Sequence, residues 1–181
     1  IRRWSLMRSS REENVMEHSW QVAVFAHALA VIDSKIYKNA VDAEKAVLYE
    51  LYHECSEVMT GDLPTPIKYY NAEIRGAYKE IEDRASGRLL SMLPDELKES
   101  LSPFVLPDRE SREYAIAKAA DKLSAYVKCV EELKAGNAEF KKAKESIGRE
   151  LKEKGLACVD YFTEKFLPAF LLTLDEMDGL D

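Results

Sequence analysis

Residues able to bind a metal ion interrupt apolar helical patterns at three separated places in this sequence. His18 extends an apolar stripe that continues at steps of three and four residues, so its side chain should point inward. The adjacent pair His53 and Glu54 falls in a nearly apolar stretch, and Asp121 interrupts a third apolar pattern. Two imidazoles and two carboxylates suit a divalent transition ion and leave positions for water and a phosphate oxygen. Each residue alone could be an ordinary core or surface residue, but the set predicts one metal site.

A further acidic residue, Glu57, lies four residues after His53 and three after Glu54. A continuous helix would place these three side chains on one side, and two buried carboxylates are costly unless a cation or hydrogen bonds compensate. Exposure of the whole triplet to solvent is the alternative explanation. The remaining histidine, His27, follows His18 by nine residues, which on a helix turns it to the opposite face.

Helices are the elements that must position these residues. Glycine is scarce, with 7 residues, and the 6 prolines are confined to a few places, which favours long helices over many short strands. Apolar spacing and capping residues predict helices at about 14–33, 42–60, 71–92, 108–134, 139–154 and 161–170, with a short helix after Pro94. The segment GDLPTP at 61–66 should form a loop. Pro103 and Pro107 should break the chain, and Pro168 should kink or divide the last helix.

Length and charge limit the class of protein. A chain of 181 residues is enough for one domain with a sizeable core and too short to suggest two. We therefore predict a single all-α domain over residues 1–181, an irregular helical bundle. Lys and Arg total 26 against 33 Asp and Glu, and the formal charge of −7 argues against binding to nucleic acids or to anionic membranes.

The cysteines and the apolar runs indicate a cytoplasmic protein. Cys55, Cys129 and Cys158 are odd in number and widely spaced, so neither a disulfide framework nor a cysteine metal site is expected. A reducing cytoplasm fits them best, with the thiols acting as small apolar residues. No apolar run is expected to reach the length of a membrane span, and no secretory signal is recognisable.

Four short motifs occur in an order similar to that of a known enzyme family. They are EHS at 17–19, YHECSE at 52–57, GDLPTP at 61–66 and AD at 120–121. Together they resemble the HD-domain phosphohydrolases, most closely the bacterial HD-domain 5'-deoxynucleotidases. The resemblance runs over nearly the whole chain and includes Arg3 and Trp4. This pair and the GDLPTP loop indicate that family much more specifically than a bare His-Asp dipeptide does.

The resemblance implies an all-helical bundle of HD-domain type, typically a homodimer, which removes the 5'-phosphate from deoxyribonucleoside monophosphates. It also implies one divalent transition ion as cofactor, namely Co, Mn, Ni, Fe or Zn. Carried over position by position, the metal ligands would be His18, His53, Glu54 and Asp121, and the acid/base carboxylate would be Glu57. The nucleotide-binding residues would be Arg3, Trp4, Asp62, Leu63, Pro64 and Thr65.

One position departs from the family pattern. The family has His-Asp where this sequence has His53 and Glu54. Glu carries the same charge on a chain one methylene longer, so it could bind the metal after a small shift, or bind bidentately. It could also weaken the site or change the preferred metal.

Three other functions are compatible with parts of this pattern. A related HD-type enzyme could hydrolyse a nucleoside triphosphate, a cyclic nucleotide or a non-nucleotide phosphate with the same metal ligands. An HD-fold protein whose site is impaired by Glu54 could bind nucleotides without catalysis. A zinc peptidase is disfavoured because residues 53–57 read HExxE, and the second histidine of the HExxH pattern is absent.

Overall fold

Helices make up the regular secondary structure throughout the part of the chain that is described. A computed structural model describes residues 1–68 and 70–177, without the side chains of residues 65 and 66. The α-helices are α1 (Val15–Lys35), α2 (Ala43–Tyr52), α3 (Glu57–Thr60), α4 (Thr65–Lys68), α5 (Ala72–Ser91), α6 (Asp95–Val105), α7 (Arg112–Lys134), α8 (Lys141–Glu153), α9 (Ala157–Lys165) and α10 (Leu174–Met177). Short 3-10 helices occupy Ala138–Phe140 and Leu167–Leu171. The predicted all-α class is confirmed.

Side-chain caps fix where the two long core helices begin. Asn14 Oδ1 accepts hydrogen bonds from the amides of Met16 and Glu17, and Glu17 Oε2 accepts from the Asn14 amide at 3.1 Å. This capping box satisfies amides that the first turn of α1 leaves without helical partners. Helix α7 begins later than predicted, after Ser111 rather than at Asp108, because the Ser111 hydroxyl accepts from an amide of the first turn at 3.2 Å.

Helix α1 lies at the centre of the bundle, where it packs against α2, α7 and α9. The apolar stripe predicted on α1 is buried, and it meets the predicted stripe of α7 in one core. The buried core includes Val22, Phe25, Ala26, Leu29, Ile116, Ala120, Leu123, Val127 and Phe162. His27 is exposed, as its position on the opposite face of α1 predicts.

Helix α1 is also long and apolar enough to cross a membrane, judged by length and composition alone, with a mean hydropathy of 1.2. This helix differs from the expectation that no apolar run reaches the length of a membrane span. The central place of α1 between α2 and α7 accounts for part of this apolar character, because 44% of the span is buried against other helices.

The predicted end of the second helix is wrong, and the difference matters for the site. Asp42 caps it as predicted, accepting from the amide of Lys45 at 3.0 Å, but α2 ends at Tyr52 instead of continuing to Gly61. His53 Nδ1 donates to the carbonyl oxygen of Glu50 at 2.5 Å, and this side-chain bond occupies a backbone acceptor of the last helical turn. Residues 53–56 therefore form turns, and α3 follows as a separate short helix.

The prolines behave differently from one another. Pro103 lies inside α6 and does not break it, contrary to the prediction, because it falls in the last turn where the carbonyl of the exposed Glu99 can be hydrated. Pro168 divides the last predicted helix into α9 and the 3-10 helix that follows. Gly136 ends α7 as predicted, with a φ of 84° that only glycine adopts at little cost.

Candidate active site

The fold brings three of the predicted metal ligands together from α1, the end of α2 and the middle of α7. One ligand atom each from His18, His53 and Asp121 lies within 4.8 Å of the other two. His18 Nε2 is 3.2 Å from Asp121 Oδ1. Ligand atoms about 2.1 Å from a common ion are roughly 3 to 4.2 Å apart in octahedral geometry, so small side-chain shifts would centre an ion here.

His53 is held with one ring nitrogen directed at the cluster. Because a carbonyl oxygen only accepts, the bond from Nδ1 to Glu50 fixes a proton on Nδ1 and leaves Nε2 as the ligand nitrogen of the neutral ring. Nε2 is buried and has no hydrogen-bond partner among the described residues, although Glu54 Oε1 lies 2.9 Å away. Burial lowers the pKa of His53, but the Glu50 and Glu54 carboxylates outweigh it and raise the pKa to about 9. A bound cation would displace that proton.

His18 is oriented through its other nitrogen in the same way. The Ser124 hydroxyl donates to Gln21 Oε1 at 2.6 Å and lies 3.3 Å from His18 Nδ1. Since the hydroxyl proton is used on Gln21, the hydroxyl oxygen accepts from Nδ1–H, and Nε2 is left facing Asp121. His18 is 1% exposed, so its orientation is also fixed by packing.

Glu54 adds a carboxylate to the cluster from the turn after α2. Its Oε1 lies 2.9 Å from His53 Nε2 and 3.6 Å from His18 Nε2, so the longer side chain reaches both imidazoles. Arg3 Nη1 donates to the same oxygen at 3.2 Å. Burial raises the pKa of Glu54, but the adjacent His53 imidazole and the charge of Arg3 outweigh it and hold the pKa well below its usual range.

Glu57 is the first residue of α3 and lies beside Glu54. Its side chain is buried, and Oε2 has no hydrogen-bond partner among the described residues. Burial and the neighbouring Glu54 carboxylate raise the pKa of Glu57 to about 9. A carboxyl group with an unused oxygen next to the ligand cluster can exchange a proton with a water molecule or a substrate.

Carboxyl groups outnumber the Arg and Lys side chains around this cluster. Burial lowers the pKa of Lys118, but Asp121 and Glu50 outweigh it and raise the pKa, and Lys118 Nζ lies 3.8 Å from Asp121 Oδ2. The neighbouring acids are Glu13, Glu50, Glu54, Glu57, Asp62 and Asp121, and the neighbouring cations are Arg3 and Lys118. Two carboxylates 4 Å apart repel by about 4 kcal/mol in a partly buried site. The buried His53 Nε2, which has no hydrogen-bond partner among the described residues, and the surrounding nitrogen and oxygen donors fit a divalent transition ion.

Two of the predicted nucleotide-binding residues, Arg3 and Trp4, lie at the edge of the cluster. Arg3 is largely buried and bridges Glu54 and Glu13, the latter at 3.7 Å from Nε. Trp4 Nε1 donates to Glu13 Oε2 at 2.8 Å, and the ring packs against Phe140 with centroids 5.3 Å apart. The backbone of Trp4 has a φ of 57°, a left-handed conformation that costs a bulky residue roughly 1–2 kcal/mol. Such strain persists only where neighbouring contacts impose it.

The GDLPTP segment supplies the other predicted contact residues, although it is a loop only as far as Pro64 because α4 begins at Thr65. Asp62 is half-buried, and its charge is close enough to act on Arg3 and Glu57. Tyr78 holds the start of the loop by donating to the Gly61 carbonyl at 3.1 Å. Leu63 and Pro64 are also half-buried. The prediction for the side chain of Thr65 lies outside the described residues.

Three residues of the site were not predicted from the sequence, namely Glu13, Glu50 and Lys118. Glu50 precedes His53 by three residues and Lys118 precedes Asp121 by three, so each lies one turn from a predicted ligand. That spacing could have identified them. Glu13 lies 3.6 Å from His18 Nδ1 through Oε1, but it precedes the cap of α1 and no periodic pattern includes it.

The architecture is shared with two solved structures. An HD-domain phosphohydrolase from Listeria innocua superposes with a TM-score of 0.82 at 23% identity, covering 98% of this chain and 86% of that one. A protein from Pyrococcus horikoshii OT3 superposes with a TM-score of 0.63 at 20% identity, covering 93% and 88%. The helical bundle therefore has the fold of the HD-domain phosphohydrolase from Listeria innocua.

Sequence comparison gives the family. Residues 1–170 match the family described as 5'-deoxynucleotidase YfbR-like. A 5'-deoxynucleotidase of Vibrio vulnificus is 52% identical over 178 residues, covering 98% of this chain and 92% of that protein. A 5'-deoxynucleotidase of Vibrio cholerae is 50% identical with the same coverage. The chain therefore belongs to the YfbR-like 5'-deoxynucleotidase family, which confirms the resemblance and the class of enzyme predicted from the motifs.

Proposed function

We propose that this protein hydrolyses deoxyribonucleoside 5'-monophosphates to deoxyribonucleosides and inorganic phosphate with the help of one divalent transition ion. The observation that carries the proposal is the convergence of His18, His53 and Asp121 within 4.8 Å, in a chain 52% identical to a 5'-deoxynucleotidase. Phosphomonoester hydrolysis needs a site for the phosphate charge and a group that handles protons next to it.

The metal would be held by His18, His53 and Asp121, with Glu54 as the fourth ligand. Mixed nitrogen and oxygen donors suit Co, Mn, Ni, Fe or Zn. When bound, the ion would supply Lewis acidity and positive charge to the phosphate group and to the attacking water. The hydrogen bonds from the Nδ1 atoms of the two histidines keep their Nε2 atoms available for that role.

Glu57 would be the residue that moves the proton. In the reaction a water oxygen forms a new bond to phosphorus and the bond from phosphorus to the 5'-oxygen breaks. The water loses a proton, and the leaving 5'-oxygen gains one. The free Glu57 Oε2 beside Glu54 is a suitable acceptor and donor for these transfers.

The substrate contacts would come from the N-terminal segment and the loop after α3. The planar fork of Arg3 can pair with phosphate oxygens, exchanging its contact with Glu54 for the ligand. Trp4 offers a flat apolar surface to the sugar or base. Asp62 can accept a hydrogen bond from a sugar hydroxyl, and Leu63, Pro64 and Thr65 would complete the contacts from this segment.

A phosphate-release screen tests the proposed function. The protein is stripped with a chelator, resupplied with Co, Mn, Ni, Fe or Zn, and assayed with dAMP, dGMP and dTMP and with their ribose counterparts. Release of inorganic phosphate should return at least about 100-fold above the chelated background with one or more metals. Release of pyrophosphate or tripolyphosphate from triphosphates, or opening of a cyclic nucleotide without free phosphate, would instead indicate another HD-type hydrolase.

The variant Glu54→Asp tests whether the longer side chain impairs the site. Because Glu54 Oε1 already lies 2.9 and 3.6 Å from the two imidazole nitrogens, we expect kcat/KM to change by less than about 5-fold. Metal affinity is measured alongside by calorimetry. A gain in activity of about 30-fold or more would support the alternative of an impaired nucleotide-binding protein.

We further propose that the chain forms one HD domain over residues 1–181, acts in the cytoplasm as a homodimer, and binds neither nucleic acid nor membrane. The formal charge of −7 supports the absence of polyanionic partners.

Apolar side chains on the outer face of α1 offer a surface for the second copy in the proposed homodimer. They are Met16, Trp20 and Val24, which are 76%, 69% and 47% exposed.

A further inference from the structure

A buried ion pair near the end of α7 binds the backbone of the N-terminal segment. Glu132 is 1% exposed and accepts hydrogen bonds from the amides of Ser10 at 2.8 Å and Arg11 at 3.3 Å. Lys128 Nζ donates to Glu132 Oε1 at 2.6 Å and to the carbonyl oxygen of Arg11 at 2.5 Å. The pair therefore satisfies both donors and acceptors of one short stretch of backbone.

A second set of contacts extends this attachment by two residues. Asn137 Nδ2 donates to the carbonyl oxygen of Arg8 at 2.7 Å and to Glu132 Oε2 at 2.8 Å. The amide of Arg8 donates to Glu139 Oε1 at 3.2 Å. We call Lys128, Glu132 and Asn137 the N-terminal anchor. None of the three lies in the predicted site.

The segment held by this anchor carries Arg3 into the site. Arg3 and Glu13 are paired through their backbones, with the Arg3 amide 3.0 Å from the Glu13 carbonyl oxygen, and Arg2 forms a β-bridge with Asn14. Residues 4–12 thus form a loop that is closed at the site and tied at its far side to α7. The left-handed backbone of Trp4 lies within the same loop, so the loop conformation depends on outside contacts.

We propose that Glu132 is a positioning residue for substrate binding, which acts by fixing the loop that holds Arg3 beside the metal ligands. This inference rests on the proposed function, because Arg3 is taken to bind the substrate phosphate. Its neighbours also lower the pKa of Glu132 to about 2, despite burial, so the carboxylate is ionised and accepts from all its donors at neutral pH. A preorganised Arg3 would bind phosphate without first having to be ordered.

The test is Glu132→Gln, assayed with dAMP at saturating metal. The amide keeps the size of the side chain but loses the charge and one acceptor oxygen, so the loop should loosen. We expect KM for dAMP to rise at least about 10-fold while kcat changes by less than about 3-fold. Metal affinity, measured by calorimetry on the metal-free protein, should be unchanged, because the anchor touches none of the metal ligands. In the conservative variant Glu132→Asp, KM should lie between the values of the wild type and of Glu132→Gln.

A double-mutant cycle with Arg3→Ala shows whether Glu132 acts through Arg3. If it does, Glu132→Gln should raise KM little or not at all in the Arg3→Ala background. The matched control is Asp33→Asn, which removes another fully buried carboxylate, paired with Arg112 and Asn39 and without contact to the N-terminal segment. This control should lower stability with KM unchanged.

Amide hydrogen exchange gives a readout that does not depend on turnover. The amides of Ser10 and Arg11 should exchange at least about 10-fold faster in Glu132→Gln than in the wild type or in Asp33→Asn. If Glu132→Gln does not fold, Asn137→Ala serves in its place, with faster exchange at Arg8 and a raised KM. The inference would be overturned if the amides of Ser10 and Arg11 exchanged at the wild-type rate in Glu132→Gln. It would also be overturned if the effects of Glu132→Gln and Arg3→Ala on KM multiplied in the double variant. A wild-type protein without activity on any deoxynucleotide would refute the proposed function, whatever the exchange shows.

Discussion

Replacing Glu57 by Gln should reduce phosphate release from dAMP about 1,000-fold while the metal stays bound. Gln has nearly the same shape but cannot take up or give a proton, and general acid–base groups contribute about 10²- to 10⁴-fold to such reactions. Glu57 Oε2 is buried and without a partner among the described residues, so the substitution removes no hydrogen bond to that oxygen. The measurement is kcat for phosphate release, with metal content determined on the same sample.

The control for this variant is Glu44→Gln, which makes the same chemical change at an exposed position of α2. It should leave kcat within about 2-fold of the wild type, because surface substitutions away from the site rarely change either folding or chemistry. Because Glu57 is a buried carboxyl group with a raised pKa, we expect Glu57→Gln to leave the stability of the fold unchanged. A loss of activity in this variant would then not be due to unfolding. Normal turnover in Glu57→Gln would show that another group moves the proton.

Replacing Asp121 by Asn should remove the metal and, with it, the activity. Asn offers a neutral oxygen in place of a charged one, and we expect metal affinity to fall at least about 100-fold, since even partners of ligands cost 10- to 100-fold. A second readout is thermal stability. At a metal concentration about 100 times Kd, binding stabilises a protein by about 2.7 kcal/mol, or roughly 5–10 °C in Tm for a domain of this size.

This metal-dependent rise in Tm should occur in the wild type and be absent in Asp121→Asn at the same metal concentration. The matched control is Asp160→Asn, an exposed residue of α9, which should keep the full rise. An Asp121→Asn protein that retains a wild-type rise would show that the ion is bound elsewhere. The metal site assigned to His18, His53 and Asp121 would then be wrong.

Local pattern was sufficient to predict most of the helices. The stripe of α1 and the stripe of α7 recur at steps of three and four residues, and burial of a helix face imposes that spacing directly on the sequence. His18 and Asp121 could be predicted as inward-facing for the same reason, because each occupies a position in a stripe. The motifs EHS, YHECSE, GDLPTP and AD then identified the family.

The break after Tyr52 was decided by a side-chain contact that the hydrophobic spacing does not record. Periodicity treats residues 42–60 as one helix, since their apolar spacing does not change there. The helix ends because His53 donates to the carbonyl of Glu50 and turns its Nε2 towards His18. A side chain that competes for a backbone acceptor leaves no trace in hydrophobic spacing.

The sequence by itself determined the helical class, the inward positions of the ligands and the family. Only the tertiary structure decided how the N-terminal segment reaches the site. Glu13 contacts Arg3, Trp4 and His18, and Glu132 binds the backbone of Ser10 and Arg11 from about 120 positions away. Such contacts depend on where two distant stretches of chain meet in space, and a side chain that binds backbone amides places no demand on the residue types it binds.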